Sequence, residues 1–415
     1  MPPVFTSYQK FVIGLLAFLQ FTIVLDFMII GPLGALLLPE MHITTRQFGL
    51  AVSVYALSAG VSGLLTAGFA DKFDRKRLLL FFYAGFLLGT LLCGVADTYA
   101  FLLGARIVTG AFAGVVGSVV LAIVADLFPL EVRGRVMGVI QTAFAASQVM
   151  GLPLGIILSN RWGWHAPFMM ILAVGAPVGL VIVARLKPIA EHLKVPSTRK
   201  PLRHVATILS QGRYLRTFLA TTMLTTGGFM LMPFGSTFTV NNLGISYDAQ
   251  KWIYLSTGLV TLFAGPLLGK LADMIGKYKV FAIGTVVAAA VVGYYCNLGR
   301  TPILTVLLIN AVLFVAITAR IISATALISA VPDMPDRGGF MSVNAAVQQF
   351  SGALASSLAG LIVVQAADGH LSRYNVLGYV VITAMGLTIA LMYPIHKAVM
   401  RKAAERRPPA AVAAE

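Results

Sequence analysis

The stretch LDFMIIGPL, residues 25–33, places one carboxylate, Asp26, inside an apolar run that begins near Phe11 and continues to Leu38. Of the fifteen acidic residues, the other fourteen fall in loops, tails or the ends of apolar runs. An ionised aspartate at the centre of a bilayer costs about 2.5–3.5 kcal/mol on insertion scales, so Asp26 is expected to face other helices or a watery cavity. Loss of water favours the neutral form of a buried carboxyl, whereas a neighbouring guanidinium favours its anion. A group held between those influences can take up and release a proton, which makes Asp26 a candidate proton-coupling site. The competing reading is a structural carboxylate satisfied by hydrogen bonds between helices.

Two arginines also lie inside apolar runs. Arg106, in RIVTGAFAG, stays charged and must be neutralised there by an anion, water or substrate, so it is the natural partner of Asp26. Arg320, in TARIISATALISAVP, has no buried acid in its own half of the chain. Three readings remain open for it: it reaches Asp26 across a central cavity, it binds helix-end carbonyls, or it binds an anionic group of a substrate. Other polar residues that could line a cavity are Gln20, Gln141, Gln148, Asn344 and Gln348. Gln141 and Gln148 lie seven apart, and Asn344 and Gln348 four apart, so each pair is expected to share a helix face. Phe144, Phe229, Met230, Phe234 and Tyr254 could supply an adaptable apolar wall.

These side chains need elements to hold them, and the composition says which. The 415 residues are 58% hydrophobic and 11% charged, with a mean hydropathy of +0.87; soluble domains carry about 25% charged residues. Apolar runs near the roughly 20 residues that cross a bilayer as a helix recur from end to end. Twelve spans are expected, at 11–38, 47–69, 78–96, 99–125, 134–158, 164–186, 215–240, 249–272, 279–298, 302–331, 339–366 and 375–396. The opening run is too long for a signal-peptide core and lacks a cleavage pattern, so it is expected to remain as the first span. Cys93 and Cys296 both fall within spans and read as packing residues, not as a disulfide or a metal site.

The net charge of +16 orients the chain. With the N-terminus inside, 24 of the 31 Lys and Arg fall on the cytoplasmic side, five outside and two within spans. That asymmetry follows the positive-inside rule and puts both termini in the cytoplasm; it explains the basic balance without a nucleic-acid partner. The longest hydrophilic connection, which includes KPIAEHLKVPSTRKPLRH, separates six spans from six and reads as a solvated linker. The expected domains are a six-helix bundle over 1–186, a cytoplasmic linker over 187–213, a second bundle over 214–398 and a tail over 399–415.

The halves repeat one design. AGFADKFDRKR (67–77) follows the second span and GKLADMIGKYK (269–279) the eighth, aligning Asp71 with Asp273 at an offset of 202. RGRVMGVI from Arg133 matches RGGFMSVN from Arg337 at an offset of 204, each opening the fifth span of its half. At these residues the chain resembles the major facilitator superfamily over essentially its whole length. The loop motif of that family, G-x-L-a-D-r-x-G-r-k-r, is met by Gly269, Asp273, Gly276, Lys277 and Lys279. In the first copy Ala67 and Asp74 replace the glycines, while Asp71, Arg75, Lys76 and Arg77 keep the charge pattern. The resemblance implies a conformational latch involving Asp71, Arg75, Asp126 and, in the second half, Asp273. It also implies an l-x-x-x-R-x-x-q-G motif linked to proton transfer, matched by Leu102, Arg106 and Gly110, with Thr109 in place of the usual Gln. GLPLG (151–155) partly resembles the antiporter signature of export members.

The expected fold is an all-α membrane protein of twelve transmembrane helices in two pseudo-symmetric six-helix halves. The expected function is alternating-access transport: proton-coupled efflux of a small organic molecule such as a drug or metabolite. The alternative is a proton symporter importing a sugar or organic anion. An intramembrane enzyme is disfavoured, because H-E-x-x-H, G-x-S-x-G and G-x-x-x-x-G-K-[ST] are absent and the six histidines (42, 165, 192, 204, 370 and 396) lie near span ends or in loops. A non-transporting receptor is disfavoured too, for want of a signalling domain. No cofactor is expected beyond the proton as coupling ion, sodium remaining open. The expected partners are a small-molecule substrate and the lipid bilayer of the cytoplasmic (inner) cell membrane, with the protein a monomer.

Overall fold

The computed structural model describes residues 5–194, 207–333 and 336–405. Part of the expected linker (195–206) and the end of the expected tail (406–415) lie outside the described residues.

Among the described residues, twelve helices are long and apolar enough to cross a membrane. In the first half they are α1 (Ser7–Glu40), α2 (Thr45–Phe69), α3 (Arg75–Gly94), α4 (Tyr99–Leu127), α5 (Val132–Trp162) and α6 (Ala166–Arg185). The second half has α7 (Gly212–Asn241), α8 (Gln250–Ile275), α9 (Lys277–Tyr295), α10 (Ile303–Ala330), α11 (Arg337–Ile362) and α12 (Tyr374–Lys402). Local chemistry fixes their starts. Thr6 and Gln9 form a reciprocal capping box ahead of α1, and Thr44 and Gln47 form another ahead of α2, each satisfying orphan amides at the helix start.

Two spans are interrupted. In α5 the residues Ser147–Gly151 form a π-helical turn just before Leu152-Pro153, which adds a residue to the turn and rotates the helix face beyond it. In α7 the helix breaks after Leu231 and resumes at Gly235; Pro233, which has no amide hydrogen to donate, sits in the break.

The sequence departs from the structure in two connections. The eleventh span was expected to reach 366, but α11 stops at Ile362. The chain then forms a two-stranded antiparallel ribbon, β1 (Val364–Gln365) with β2 (Leu371–Ser372), turned at Asp368-Gly369 with Gly369 at φ +85°. Such a dipeptide supplies the positive φ that a tight reversal requires. The linker was expected to be solvated, yet its first residues pack on the first half. Ile189 is buried and accepts from the Arg75 amide at 3.0 Å, and the Lys187 amide donates to Tyr8 Oη at 3.0 Å. The apolar Ile189 in that basic stretch supplies the physical reason, since its burial is favourable.

The halves meet along α2 with α11, α5 with α8, and α1 with α7. Hydrogen bonds cluster on the face opposite the termini. Thr45 Oγ1 donates to Val363 O at 2.7 Å, Ser236 Oγ to Pro32 O at 2.7 Å, and Ser357 Oγ to Ser53 Oγ at 2.8 Å. Ser159 Oγ and Tyr247 Oη are 2.9 Å apart. Backbones approach closely at the same end, where a Cβ on Gly360 would lie 2.7 Å from Thr45 O. Towards the termini the α2–α11 contact persists as far as Gly60 against Gln349 and Phe350. The ion pairs near the termini that follow stay within one half, so the seam between halves is a structure of one face.

Candidate functional site

Asp26 lies in the middle of α1, and no part of its side chain is exposed. Arg106, about two turns into α4, is equally buried. Its Nη1 stands 3.0 Å from Asp26 Oδ2 and donates also to Asp26 O at 3.2 Å. The other carboxylate oxygen accepts from Thr90 Oγ1 of α3 at 3.1 Å. Tyr55 of α2 completes the enclosure, with the guanidinium carbon 4.3 Å from its ring centroid, a cation–π contact that is strengthened by desolvation. Four helices of one half thus converge on one ion pair.

Local packing explains the convergence. Gly110, one turn beyond Arg106, lies on the α2 backbone, where a Cβ would collide with the Tyr55 carbonyl and the Ser58 hydroxyl. The glycine therefore brings α4 close enough for Arg106 to stack on Tyr55. From the other side, Gly151 and Gly155 of the GLPLG stretch receive Leu25 and Ile29, which flank Asp26 on α1. Small residues let helices pack this closely within a membrane.

The pair is not fully satisfied. Arg106 Nε and Nη2 and Tyr55 Oη have no hydrogen-bond partner among the described residues, although all are buried. Buried donors of this kind are expensive to leave unpaired, and they retain the capacity to bind when the surroundings move. Next to Asp26, Phe27 packs on Tyr55 and on Phe229 of α7, each at 5.5 Å between ring centroids. That contact connects the ion pair to the second half.

The other anticipated cavity residues are scattered. Gln20, Tyr254 and Asn344 are partly buried, and Gln141, Phe144 and Gln348 are exposed. Asn344 accepts from Thr221 Oγ1 at 2.7 Å, so its oxygen is engaged within the second half. Gln141 and Gln148 do not share an environment as their spacing predicts. Gln141 is exposed and Gln148 is buried, where the backbone of the π turn packs against α8. There a Cβ on Gly258 would lie 3.0 Å from the Gln148 carbonyl carbon. Met230 and Phe234, expected on a ligand-facing wall, are fully packed instead; Phe234 meets Phe48 of the first half edge-on at 5.8 Å within the seam.

Arg320 does not reach Asp26. Its Nε donates to Thr285 Oγ1 of α9 at 3.2 Å, and Asp26 is already held by Arg106 and Thr90. Of the three sequence readings, the one across the cavity is therefore corrected for this conformation.

Near the termini the structure brings Asp71, Arg75 and Asp126 together. Arg75 Nη2 lies 2.7 Å from Asp71 Oδ1 and Arg75 Nε 3.0 Å from Asp126 Oδ2. Arg75 is buried, whereas the Asp71 side chain is 59% exposed. His192, which sequence reasoning passed over, brings Nδ1 to 3.5 Å from Asp126. In the second half Asp273 makes one ion pair among the described residues, an open contact with Lys277 at 3.7 Å. A tighter cluster there involves residues with no motif: Asp333 contacts Arg213 at 2.8 Å and Lys402 at 2.7 Å. Thr90 and Tyr55 were also missed; hydroxyls on apolar helices are common, and nothing in the sequence indicates which way they point.

Comparison with known proteins agrees with this architecture. A family model described as Major Facilitator Superfamily matches residues 16–238 and 217–414. Among curated relatives from Bacillus subtilis (strain 168), the uncharacterized MFS-type transporter YceJ is 27% identical over 273 residues, which are 65% of this chain and 69% of that protein. The uncharacterized MFS-type transporter YtbD is 25% identical over 60% of this chain and 61% of its own length. Multidrug resistance protein 3 is 31% identical over 148 residues, 36% of this chain and 29% of that protein. The match thus spans less than two thirds of the latter two. A bacterial homolog of the human lysosomal transporter Spinster, solved in an inward-facing and unoccupied conformation, superposes with a TM-score of 0.71 at 16% identity, covering 98% of this chain and all of that one. The repeated loop motif, the twelve helices in two halves and the family match over nearly the whole chain lead to one conclusion: the protein belongs to the Major Facilitator Superfamily.

Proposed function

We propose that the protein is a proton-coupled exporter of a small organic molecule, a drug or metabolite, working by alternating access as a monomer in the cytoplasmic membrane. The observation that carries the reading is the fully buried Asp26–Arg106 pair, whose neighbour Phe27 touches the opposite half. With the basic face and both termini in the cytoplasm, the seam lies on the outer side and this conformation opens inwards.

Protonation of Asp26 removes the charge that neutralises Arg106. The guanidinium, which keeps its own charge, then needs another anion or polar partner, and its stacking on Tyr55 and the Tyr55–Phe27–Phe229 contact shift with it. Proton entry and substrate exit alternate at the same site as one half rocks against the other. One proton moving down 100 mV supplies about 2.3 kcal/mol before any pH gradient is added, enough to shift a two-state equilibrium nearly fiftyfold, roughly. On the inner face, Asp71, Arg75 and Asp126 act as a latch that rearranges when that face closes; the exposure of Asp71 supports this, since its carboxylate is accessible to a new partner.

Export is favoured over symport by the glycines of GLPLG against Leu25 and Ile29 and by the partial likeness to a multidrug resistance protein. Everted vesicles test it: adding a transported compound should dissipate an imposed proton gradient. Accumulation of the compound by right-side-out vesicles, driven by an inward proton gradient, would identify a symporter instead.

A further inference from the structure

Among the described residues three arginines are buried, Arg75, Arg106 and Arg320, and the first two are paired with carboxylates. Arg320 is 4% exposed and makes no ion pair among the described residues. Its Nε donates to Thr285 Oγ1 at 3.2 Å. Thr285 in turn gives its own hydrogen to Phe281 O at 2.7 Å, so it can only accept from Arg320 and does nothing for the charge. Arg320 Nη2 has no partner among the described residues, nor does Ser323 Oγ, which is fully buried one turn further along the same face of α10. The acids of the second half (Asp248, Asp273, Asp333, Asp336, Asp368, Glu405 and Glu415) all lie in loops, tails or helix ends.

An uncompensated guanidinium inside a membrane protein is strongly disfavoured, whereas an anion hydrogen-bonded by it gains both charge neutralisation and short, charge-assisted bonds. The arrangement is held in place. α9 and α10 cross tightly at Gly284, where a Cβ would lie 3.0 Å from Ala316 O and 3.5 Å from Arg320 Cγ, so the stem of Arg320 is pinned and its head is directed at fixed neighbours. Thr285 is the ninth residue of α9, about 12 Å along it from the basic face at 1.5 Å per residue. Ser323 lies on the side of Arg320 nearer that face.

We propose that Arg320 and Ser323, with Thr285 as the positioning acceptor, form a second-half binding site for a monovalent anion: either a substrate carboxylate or an inorganic halide. Occupancy of this site is independent of proton coupling at Asp26; only its use in transport rests on the alternating-access reading above.

Radiolabelled chloride and radiolabelled benzoate, applied separately to the full chain in nanodiscs of zwitterionic lipid at constant ionic strength, test the proposal. Saturable binding of at least one is expected. Benzoate binding marks a subsite for carboxylate-bearing cargo, and chloride binding alone marks a resident counter-ion. Arg320→Gln should weaken that binding about tenfold or more, and Thr285→Val and Ser323→Ala about threefold or more each, as expected for loss of charge-assisted bonds. Should Arg320→Gln fail to fold, the two milder variants decide the matter. Absence of saturable binding of both anions to the unaltered chain, or binding unchanged in every folded variant, overturns the proposal. Asp26→Asn should keep the anion binding while losing proton-driven flux, so the two readings fail separately.

Discussion

Arg106 Nη1 lies 3.0 Å from Asp26 Oδ2 with neither side chain exposed, while two other nitrogens of the same guanidinium have no partner among the described residues. The pair is therefore neutral as a unit but incomplete as a hydrogen-bond network. Such a site responds to the gain of one proton more than a fully satisfied pair would, because the arginine has alternative bonds to make.

Asp26→Asn keeps the shape of the carboxyl and removes its titration. Substrate binding should persist, and flux should stop responding to an imposed pH gradient. Counterflow and gradient-driven transport measured side by side in proteoliposomes check this; gradient-driven flux equal to that of the unaltered protein rules out the assigned role.

Arg106→Gln leaves Asp26 buried without its counter-charge. Breaking a buried pair in this way typically destabilises by about 3–5 kcal/mol, whereas the double replacement Asp26→Asn with Arg106→Gln should recover a large part of that. A double-mutant cycle on unfolding in mixed detergent micelles measures the coupling. Additive single effects would mean that the two side chains do not depend on each other.

Thr45→Val and Ser236→Ala each remove a neutral hydrogen bond across the seam, worth about 0.5–1.5 kcal/mol. Each should shift the population towards the state open on the face opposite the termini, by about twofold to tenfold. Spin-label distances between the two halves, measured on both faces, report the shift. A population that stays put would show that these hydroxyls do not hold the seam closed.

Lys402 and Arg213 hold the Asp333 carboxyl below the usual carboxylate range. A depressed folded value contributes stability that is present above the unfolded value of about 4 and lost as pH falls through the folded one. Asp333→Asn should therefore lower thermal stability slightly and uniformly from neutral pH down to about pH 4, with the difference closing below that. The effect is modest because the side chain is 42% exposed. Thermal unfolding across pH 3 to 7, about the range in which a carboxylate titrates, follows it; a gap that widens on acidification would contradict the sign.

Much of this architecture was legible in the sequence because hydrophobic length is a strong signal and lipid leaves backbone polar groups no other partner than their own helix. Asp26 and Arg106 were found for a related reason: a lone acid and a lone guanidinium in apolar runs have few ways to be satisfied. Helix rotation was harder to read. Gln141 and Gln148 are seven residues apart, yet the close approach of α8 at Gly258 covers the turn that holds Gln148, while Gln141 stays exposed. Met230 and Phe234 have the right chemistry for an adaptable wall, but both are packed away, Phe234 against Phe48 of the other half, and where the halves touch is encoded by no local pattern. Ile189 shows the converse, since one apolar residue in a basic stretch was enough to bring the start of the linker onto the bundle.

The two ends of the molecule answer to different solvents. Closure away from the termini rests on hydroxyls donating to carbonyls and to each other at Thr45, Ser236 and Ser357, interactions that dissolved electrolyte scarcely touches. The opposite end carries carboxylates and guanidiniums at Asp71, Arg75, Asp126, Asp333 and Arg213, which mobile ions screen within about 8 Å at physiological salt. A change of salinity therefore weakens the ion pairs near the termini and leaves the hydroxyl seam as it was, so the two ends of the molecule respond separately to the solutions that bathe them.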